Sequence, residues 1–381
     1  MRRFFLGLWT FTAVAHVVVL GAIADGLGRL GAPGAPWIAL AITALLVAVF
    51  RRRLSLARDD RPISRARRAF ELAYFAHWCG SIAALLLAIA GATLFAVLQL
   101  AARLASRPFA APWDRLCLGA YGIGLALGVY GVGIRARRAR VRTLEIQVRG
   151  LDRAFDGYRI VHLSDLHVGA LFEGLAPSWI ARTNALAPDL VALTGDYVTS
   201  GVRFHERIAD VLAGLRAKDA VIATLGNHDY FGGGEPLATL VRERGVVLLR
   251  NERRTIARGS ASIEVAGVDD TWTRRADLDR ALRGFDGARP LVGLTHDPSM
   301  FPDFARRGAA LVLAGHTHWG QIGVPFAAER ANFATRVFRF SAGLYRDGEA
   351  VLYVSPGLGT TGPPIRLGSP PEITLLVLRA A

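Results

Sequence analysis

Residues 310–318 read ALVLAGHTH, an apolar run that ends in a glycine and two histidines, His316 and His318. The chain has nine histidines in 381 residues, so two of them one residue apart at the end of a buried strand form a concentrated pair. If the pleat of the strand continues into the loop, this spacing sends both side chains to the same side. The stretch therefore predicts a strand end that binds metal.

Four other predicted strands also run into side chains that bind metals. These motifs are SDLH at 164–167, GDYV at 195–198, GNHDY at 226–230 and HDPS at 296–299. The loops at the carboxyl ends of strands in an open α/β sheet converge on one crevice. A mixed set of carboxylates and imidazoles suits Mn, Fe or Zn better than Ca, whose ligands are all oxygen. The five motifs together predict one metal centre.

The strands themselves begin after about Thr143, where short apolar runs alternate with helical stretches and are separated by Gly, Asp and Pro. This alternation is typical of an α/β domain with largely buried strands. The predicted strands are Tyr158–Leu163, Leu190–Thr194, Val221–Leu225, Ile263–Val268, Leu291–Thr295, Ala310–Ala314, Val351–Ser355 and Ile373–Leu378. We therefore predict a domain over residues 143–381.

Four apolar segments precede this domain, at about 4–24, 32–50, 78–102 and 116–134. Crossing a hydrocarbon core of roughly 30 Å takes about 20 apolar residues. None of the segments has a polar face at helical spacing, which argues against buried helices of a soluble core. The sequence therefore predicts a membrane domain over residues 1–142 with four transmembrane helices.

The basic charge is concentrated in this membrane half. Residues 1–142 carry 19 Arg against 5 Asp or Glu, whereas residues 143–381 carry 27 basic against 26 acidic side chains. The net charge of +15 therefore does not indicate a nucleic-acid groove, and no nucleic-acid partner is expected. The expected partner is the lipid bilayer. The arginines at 51–68 and 135–142 are expected to lie on the cytoplasmic side, where anionic lipid headgroups attract basic side chains.

The positive-inside rule then predicts a multi-pass protein of the cell inner (plasma) membrane with both termini and the second domain in the cytoplasm. An alternative comes from RRFFL at 2–6, which with the apolar stretch after it resembles a twin-arginine export signal. Use of that signal would place the second domain on the exported side.

The order DLH, GD, GNHD, a separate His and GHTH resembles the calcineurin-like metallophosphoesterase superfamily over about Thr143–Ala381. The tail LYVSPGLGTTGPPIRLGSPPEITLLVL further resembles the membrane-anchored branch that includes UDP-2,3-diacylglucosamine pyrophosphatase-like phosphoesterases. The resemblance implies a four-layer α-β-β-α sandwich after the transmembrane helices. It also implies a phosphoric ester or pyrophosphate hydrolase with two divalent metal ions, of which Mn, Fe or Zn fit the ligand types.

The resemblance also assigns roles to individual residues. One metal would be bound by Asp165, His167 and His318, the other by Asn227, His296 and His316, and both by the bridging Asp196. A hydroxide between the metals would attack phosphorus. His228 would face the substrate as a proton donor or as a stabiliser of phosphoryl charge, and Asp229 would be the partner that orients the His228 ring.

Two further residues are predicted to bind substrate. Trp319 follows GHTH where relatives often have Gly, and its ring is expected to narrow the pocket or to offer a stacking surface. Arg366 lies in GPPIRLG and is a candidate bidentate phosphate donor, with an ion pair to a nearby acid as the alternative.

The sequence thus predicts a membrane-anchored two-metal phosphoesterase. A lipid-linked phosphate is the favoured substrate, because four spans hold the domain close to lipid headgroups. Two alternatives stay open, namely hydrolysis of a soluble phosphodiester such as a cyclic nucleotide, and a non-catalytic metal-binding membrane sensor or scaffold. The oligomeric state is not determined by the sequence.

Overall fold

The computed structural model describes residues 2–56, 63–107, 109–169, 171, 174–324 and 327–380, with the backbone alone at 2–5, 51–56 and 114. The chain divides into two compact units, Met1–Ile134 and Arg135–Ala381.

The first unit is helical. Its helices are α1 (Arg2–Arg29), α2 (Ala35–Leu56), α3 (Arg65–Leu104) and α4 (Trp113–Val129). Three stretches within the described residues are long and apolar enough to cross a membrane: Leu6–Arg29, Arg65–Leu104 and Arg115–Arg137. The second predicted span corresponds to the shorter apolar stretch Ala35–Phe50 of α2.

The third helix begins well before the predicted start of its span at residue 78. The Ser64 hydroxyl accepts a hydrogen bond of 3.1 Å from the backbone N–H of Arg67 and caps the amino end of α3. The helix therefore starts at Arg65 and includes the arginine-rich segment that precedes the apolar stretch. The sequence pattern located the apolar part of α3 but not its first turns.

Small residues and a polar chain hold the helices of this unit together. A Cβ on Gly124 would overlap the backbone oxygen of Gly80, so α3 and α4 approach closely at these glycines. The Nε2 atoms of His16 and His77 lie 3.1 Å apart, and His77 Nδ1 lies 2.8 Å from the Tyr121 hydroxyl. These contacts join α1, α3 and α4, because each polar group finds its partner on another helix.

The described residues of the second unit form twelve strands and five α-helices. The strands are β1 (Arg140–Val148), β2 (Arg159–Leu163), β3 (Leu190–Thr194), β4 (Ala220–Thr224), β5 (Val247–Leu248), β6 (Glu252–Arg258), β7 (Ala261–Gly267), β8 (Leu291–Leu294), β9 (Ala309–Ala314), β10 (Gly343–Asp347), β11 (Ala350–Val354) and β12 (Glu372–Ala380). The helices are α5 (Ala176–Ala185), α6 (His205–Ala213), α7 (Gly234–Glu243), α8 (Leu278–Ala281) and α9 (Phe301–Arg306).

The strands form two mixed six-stranded sheets, with orders β1-β12-β2-β3-β4-β5 and β10-β11-β9-β8-β7-β6. Apolar side chains such as Ile160 of the first sheet and Leu311 of the second pack in one buried cluster between the sheets. A second cluster joins the first sheet to α5, α6 and α7, and a third joins the second sheet to α8 and α9. This arrangement confirms the predicted four-layer α-β-β-α sandwich.

The second unit begins ahead of the predicted boundary at Thr143. Strand β1 starts at Arg140 and pairs in parallel with β12, with Arg140 opposite Glu372. The Arg140 guanidinium lies 2.7 Å from the Glu372 carboxylate, and Arg142 lies 2.5 Å from that of Glu329. The arginines at 140 and 142 therefore belong to an edge strand of the α/β unit. The change in composition after residue 142 does not mark the start of the fold.

Candidate metal centre

The loops after β2 and β9 bring three ligand-type side chains together. The Nε2 atom of His318 lies 3.2 Å from Asp165 Oδ1 and 3.0 Å from His167 Nε2. All three side chains are buried, and their ligand atoms lie within 4.8 Å of one another. Two imidazole nitrogens and a carboxylate oxygen thus converge on one point.

The loops after β3, β8 and β9 supply a second group. The Nε2 atom of His296 lies 3.2 Å from Asp196 Oδ2 and 3.1 Å from His316 Nδ1. The same oxygen of Asp196 lies 3.5 Å from His167 Nε2, which belongs to the first group. Asp196 is therefore the side chain that connects the two groups.

The route by which these side chains converge differs from the predicted one. Asp165, His167, Asp196, His316 and His318 have φ angles of 51°, 44°, 55°, 69° and 52°. A pleated strand has negative φ, so the pleat does not continue into the loops and the prediction of a continued pleat is wrong. Left-handed conformations are costly for residues other than glycine and collect at functional sites, where the surrounding structure imposes them.

Glycines in the motifs provide the space that these turns need. A Cβ on Gly315 would overlap the Ser164 hydroxyl and the Asp165 carboxylate. A Cβ on Gly226 would overlap the Asp196 carboxylate. Only glycine lets these backbones approach the acidic side chains so closely, which explains the glycine in GHTH and in GNHD.

Burial keeps the imidazoles of His167 and His316 in the neutral form that binds metal. It lowers the pKa of His167 to about 3 and that of His316 to about 4, so both rings are neutral at pH 7. Burial also acts to lower the pKa of His296, but the Asp196 carboxylate outweighs it and raises that pKa to about 10. The proton shared by His296 and Asp196 is the one that a bound cation would displace.

The donor set fits divalent cations on further grounds. The Thr194 carbonyl accepts from His296 Nδ1 at 2.7 Å, so Nε2 faces the site and would offer its lone pair to a cation that displaces the shared proton. Among the described residues, the buried Asn227 Oδ1 has no hydrogen-bond partner. A buried carbonyl oxygen without a donor is costly unless a cation or water occupies its lone pair. The imidazole and carboxylate ligands and the unpartnered Asn227 oxygen therefore all suit a metal ion.

His228 lies at the edge of this centre, and the predicted orienting role of Asp229 is wrong. His228 Nδ1 lies 2.7 Å from the Thr199 carbonyl oxygen. Because a carbonyl only accepts, Nδ1 carries the hydrogen and Nε2 is left for another partner. The backbone N–H of His228 donates to Asp196 Oδ1 at 2.8 Å, which ties the residue to the centre.

Asp229 instead organises the backbone beneath the centre. Its carboxylate accepts from the backbone N–H groups of Asp196 at 2.9 Å, Tyr197 at 2.7 Å and Gly226 at 2.9 Å. Burial raises the pKa of Asp229 to about 7, and the neighbouring Asp196 charge acts in the same direction. The backbone N–H of Val198 also donates to this carboxylate at 3.3 Å, so four donors of two separate loops occupy it, while the His228 ring has the Thr199 carbonyl as its partner.

Asp229→Ala is expected to lower the thermal unfolding temperature of the second unit by about 6 °C or more. Four buried backbone donors would lose their acceptor, at about 1–3 kcal/mol each. Differential scanning fluorimetry of the full chain measures this shift. The matched control is Asp303→Ala, which removes a surface carboxylate paired with Arg306 and is expected to change little. Equal shifts in the two variants would contradict the role given to Asp229.

Trp319 and Arg366 do not line an open pocket, which corrects both substrate-binding predictions. Trp319 is buried, and its Nε1 donates to the Val354 carbonyl at 2.7 Å. Arg366 is fully buried and donates to the Pro356 carbonyl at 2.7 Å, with Nη2 3.3 Å from His318 Nδ1. Trp319 therefore packs inside the fold, and Arg366 supports the His318 loop through Nη1 and Nη2, while its buried Nε has no hydrogen-bond partner among the described residues.

Two aromatic residues near the centre were not predicted from the sequence. The ring of Trp272 lies 5.0 Å from that of His316 and its side chain is 60% exposed, and Phe338 lies 5.4 Å from the same imidazole. Trp272 follows two aspartates after β7, so it shares the strand-end placement of the metal motifs. An indole or phenyl ring does not bind these metal ions, so the pattern of metal-binding residues at strand ends did not identify these two side chains.

Comparison with known proteins places this geometry in a family. The family described as calcineurin-like phosphoesterase matches residues 158–320. The transmembrane protein with metallophosphoesterase domain of Danio rerio is 32% identical over 261 residues, which cover 65% of this chain and 59% of that protein. The chain thus spans less than two thirds of this relative.

The uncharacterized metallophosphoesterase YkuE of Bacillus subtilis is 31% identical over 234 residues, covering 59% of this chain and 80% of that protein. Among solved structures, the Haemophilus influenzae NAD nucleotidase matches with 14% identity and a TM-score of 0.39, covering 53% of this chain and 45% of that one. The match to the Bacillus protein is extensive enough to identify the family. The chain belongs to the calcineurin-like phosphoesterases, which are metal-dependent phosphoester hydrolases with a dinuclear divalent metal centre.

Proposed function

We propose that this phosphoester hydrolase is anchored in a membrane and cleaves a phosphoester or pyrophosphate bond of a lipid or lipid-linked substrate. One observation carries the proposal: the chain that holds the metal centre also has, within its described residues, three helices long and apolar enough to cross a membrane. In this proposal the unit Met1–Ile134 is the membrane domain, and the unit Arg135–Ala381, which starts ahead of the predicted boundary at residue 143, is the catalytic domain. The arginine distribution favours a cytoplasmic catalytic domain.

The metal ligands are proposed to divide into two sets that share one carboxylate. One cation would be held by Asp165, His167 and His318, the other by His296 and His316 with the unpartnered Oδ1 of Asn227, and both by Asp196. When bound, such a pair supplies Lewis acid stabilisation of phosphoryl oxygens and activates water. The closeness of Asp196 to both histidine groups supports its role as the shared ligand.

His228 is proposed to act on the substrate. Its Nδ1–H is held by the Thr199 carbonyl, and its ring lies 4.8 Å from that of His167 in an edge-to-face arrangement. Nε2 is therefore the atom that faces a phosphoryl group at the centre. A protonated Nε2 would donate to the leaving oxygen or would stabilise charge on the phosphoryl group.

Trp272 is proposed to contact the part of the substrate next to the phosphate. Trp272→Ala is expected to raise KM by about tenfold, because an exposed indole beside the centre offers about 1.4 kcal/mol of contact energy. The metal content and kcat are expected to stay near those of the wild type, since the ring lies beyond the ligands. Steady-state kinetics together with metal analysis measures both quantities, and an unchanged KM would contradict this role.

A hydrolysis screen tests the proposed substrate class. The full chain is purified, loaded with Mn²⁺, and assayed against lipid pyrophosphates, phospholipid monoesters and soluble nucleotides, including a cyclic one. We expect hydrolysis of at least one lipid substrate that is lost after chelation with EDTA. Activity on soluble nucleotides alone would reject the lipid proposal and would favour the second candidate, a soluble phosphodiesterase in which Trp272 stacks on a base.

A further inference from the structure

Two segments beyond the GHTH motif lie side by side and expose large apolar side chains. The backbone N–H of Val324 donates to the Ala331 carbonyl at 2.8 Å, and that of Phe333 donates to the Ile322 carbonyl at 3.1 Å. Phe333 is 75% exposed and Val337 is 71% exposed, and the side chains of Ile322 and Val324 are also exposed. We call Ile322, Val324, Phe333 and Val337 the apolar surface.

The segment that carries the apolar surface is packed against the rest of the unit, because small and polar residues between the members of the apolar surface are buried. Asn332 is buried, donates to the Ala328 carbonyl at 2.6 Å and accepts from the Thr335 N–H at 3.1 Å. Ala334 is buried as well. The segment thus turns alanine and asparagine inward and phenylalanine and valine outward, the reverse of the usual order of burial. Exposed large apolar side chains grouped on two paired segments are typical of an interaction surface.

Exposed basic side chains occur in the same segment as the apolar surface. Residues 321–346 contain four arginines and one acid, Glu329, which is already paired with Arg142 at 2.5 Å. Arg330 and Arg336 are exposed, and in the part of the chain that the structure describes neither of them contacts a carboxylate. Apolar side chains in one segment with arginines fit the interface of an anionic bilayer, which takes up the apolar groups and attracts the cations.

Other occupants fit less well. A second copy of this chain docked through the same surface would bring the arginines of both copies together, and like charges repel. A nucleic acid would engage the arginines but would leave Phe333 and Val337 in water. The bilayer satisfies both kinds of side chain.

The apolar surface also borders the metal centre. Phe338 follows Val337 directly, and its ring lies 5.4 Å from that of His316. We propose that Ile322, Val324, Phe333 and Val337, with Arg330 and Arg336, dock the catalytic unit onto an anionic lipid surface beside the metal centre. This proposal rests on the membrane anchoring put forward above, and it gives the centre direct access to phosphate groups at the headgroup level.

A fluorescent probe on the surface tests the proposal. The full chain carrying Cys79→Ala and Cys117→Ala receives Phe333→Cys, is labelled with bimane, and is inserted into nanodiscs that contain a spin-labelled lipid quencher. Thr239→Cys on the exposed face of α7 is the matched control. We expect quenching of the probe at 333 in discs with phosphatidylglycerol and little quenching at 239. Equal signals at the two positions in a correctly inserted chain would overturn the proposal.

The contribution of the arginine charges to membrane docking is tested in the same nanodiscs. Arg330→Gln and Arg336→Gln are each expected to lower the ratio of docked to undocked chain by about fivefold. Added salt is expected to act in the same direction, because it screens the attraction. Quenching that is insensitive to both arginines and to salt would overturn the anionic-lipid assignment, and a chain that dimerises while the probe stays unquenched would point to a second copy instead.

Probe quenching tests the docking surface, and the hydrolysis screen tests the lipid substrate, so the two can fail independently. Probe quenching in a chain that hydrolyses only soluble substrates would keep the docking surface and reject the lipid substrate. Lipid hydrolysis by an inserted chain whose probe at 333 stays unquenched would reject the docking surface and keep the substrate.

Discussion

Asp196→Asn is expected to lower phosphoester hydrolysis by about 10³-fold or more and to reduce the metal bound per chain. The Asp196 carboxylate lies 3.2 Å from His296 Nε2 and 3.5 Å from His167 Nε2, so it is the acidic group between the two sets of imidazoles. An amide of the same shape loses the negative charge and turns N–H hydrogens toward cations. Loss of several kcal/mol of charge stabilisation corresponds to at least a thousandfold in rate.

Kinetics and inductively coupled plasma mass spectrometry on the same preparation measure both effects. The matched control is Asp189→Asn, another buried acid of this unit, whose carboxylate is held by Lys218 and Arg258 and by the N–H of Arg159. The control is expected to lose some stability but to retain its metals. Full metal occupancy in Asp196→Asn would contradict the proposed shared ligand.

His228→Ala is expected to lower kcat by about 10²–10⁴-fold and to leave the metal content unchanged. The residue contacts Asp196 through its backbone N–H, which alanine retains, and the ring itself is proposed to face the substrate. Removal of a group that transfers a proton in the transition state costs a factor of this size. Most of the loss is expected in kcat, because the ring acts on charge that develops during the reaction.

His228→Ala and Asp196→Asn are informative as a pair. Both variants are expected to be nearly inactive, but only Asp196→Asn is expected to lose metal. A control at Phe231, whose ring packs 4.8 Å from that of His228, separates packing from chemistry. Phe231→Leu is expected to retain most activity. Equal metal loss in His228→Ala and Asp196→Asn would reject the division of roles between binding metal and acting on the substrate.

The central strands were predictable because they are continuously apolar, and the edge strands were not. Strand β3 occupies the predicted residues, and β9 differs from its prediction by one residue at its start. Strands β6 and β10 escaped prediction because they are edge strands with largely exposed polar side chains, as in ERRTIAR of β6. An edge strand is held by backbone pairing with its neighbour, which leaves little trace in the pattern of hydrophobic residues.

The metal-binding motifs were predictable for a related reason. Their residue types are set by ligand chemistry, and their place after buried strands brings them to one edge of the sheets. Which atom each neighbouring residue contacts was not predictable. The side chains of Asp229, Trp319 and Arg366 all form hydrogen bonds with backbone groups. Because every residue has the same backbone groups, no sequence pattern identifies these contacts.

The amino-acid sequence by itself determined the apolar helices, the α/β architecture, and the identity and order of the side chains at the strand ends. These features follow from local hydrophobicity and from the coordination chemistry of single residues. Only the tertiary structure decided that left-handed turns, and not a continued pleat, aim the Asp165, His167, His316 and His318 side chains at one centre. It also decided that the Thr199 carbonyl orients His228, because that contact depends on how two loops from different strands meet in space.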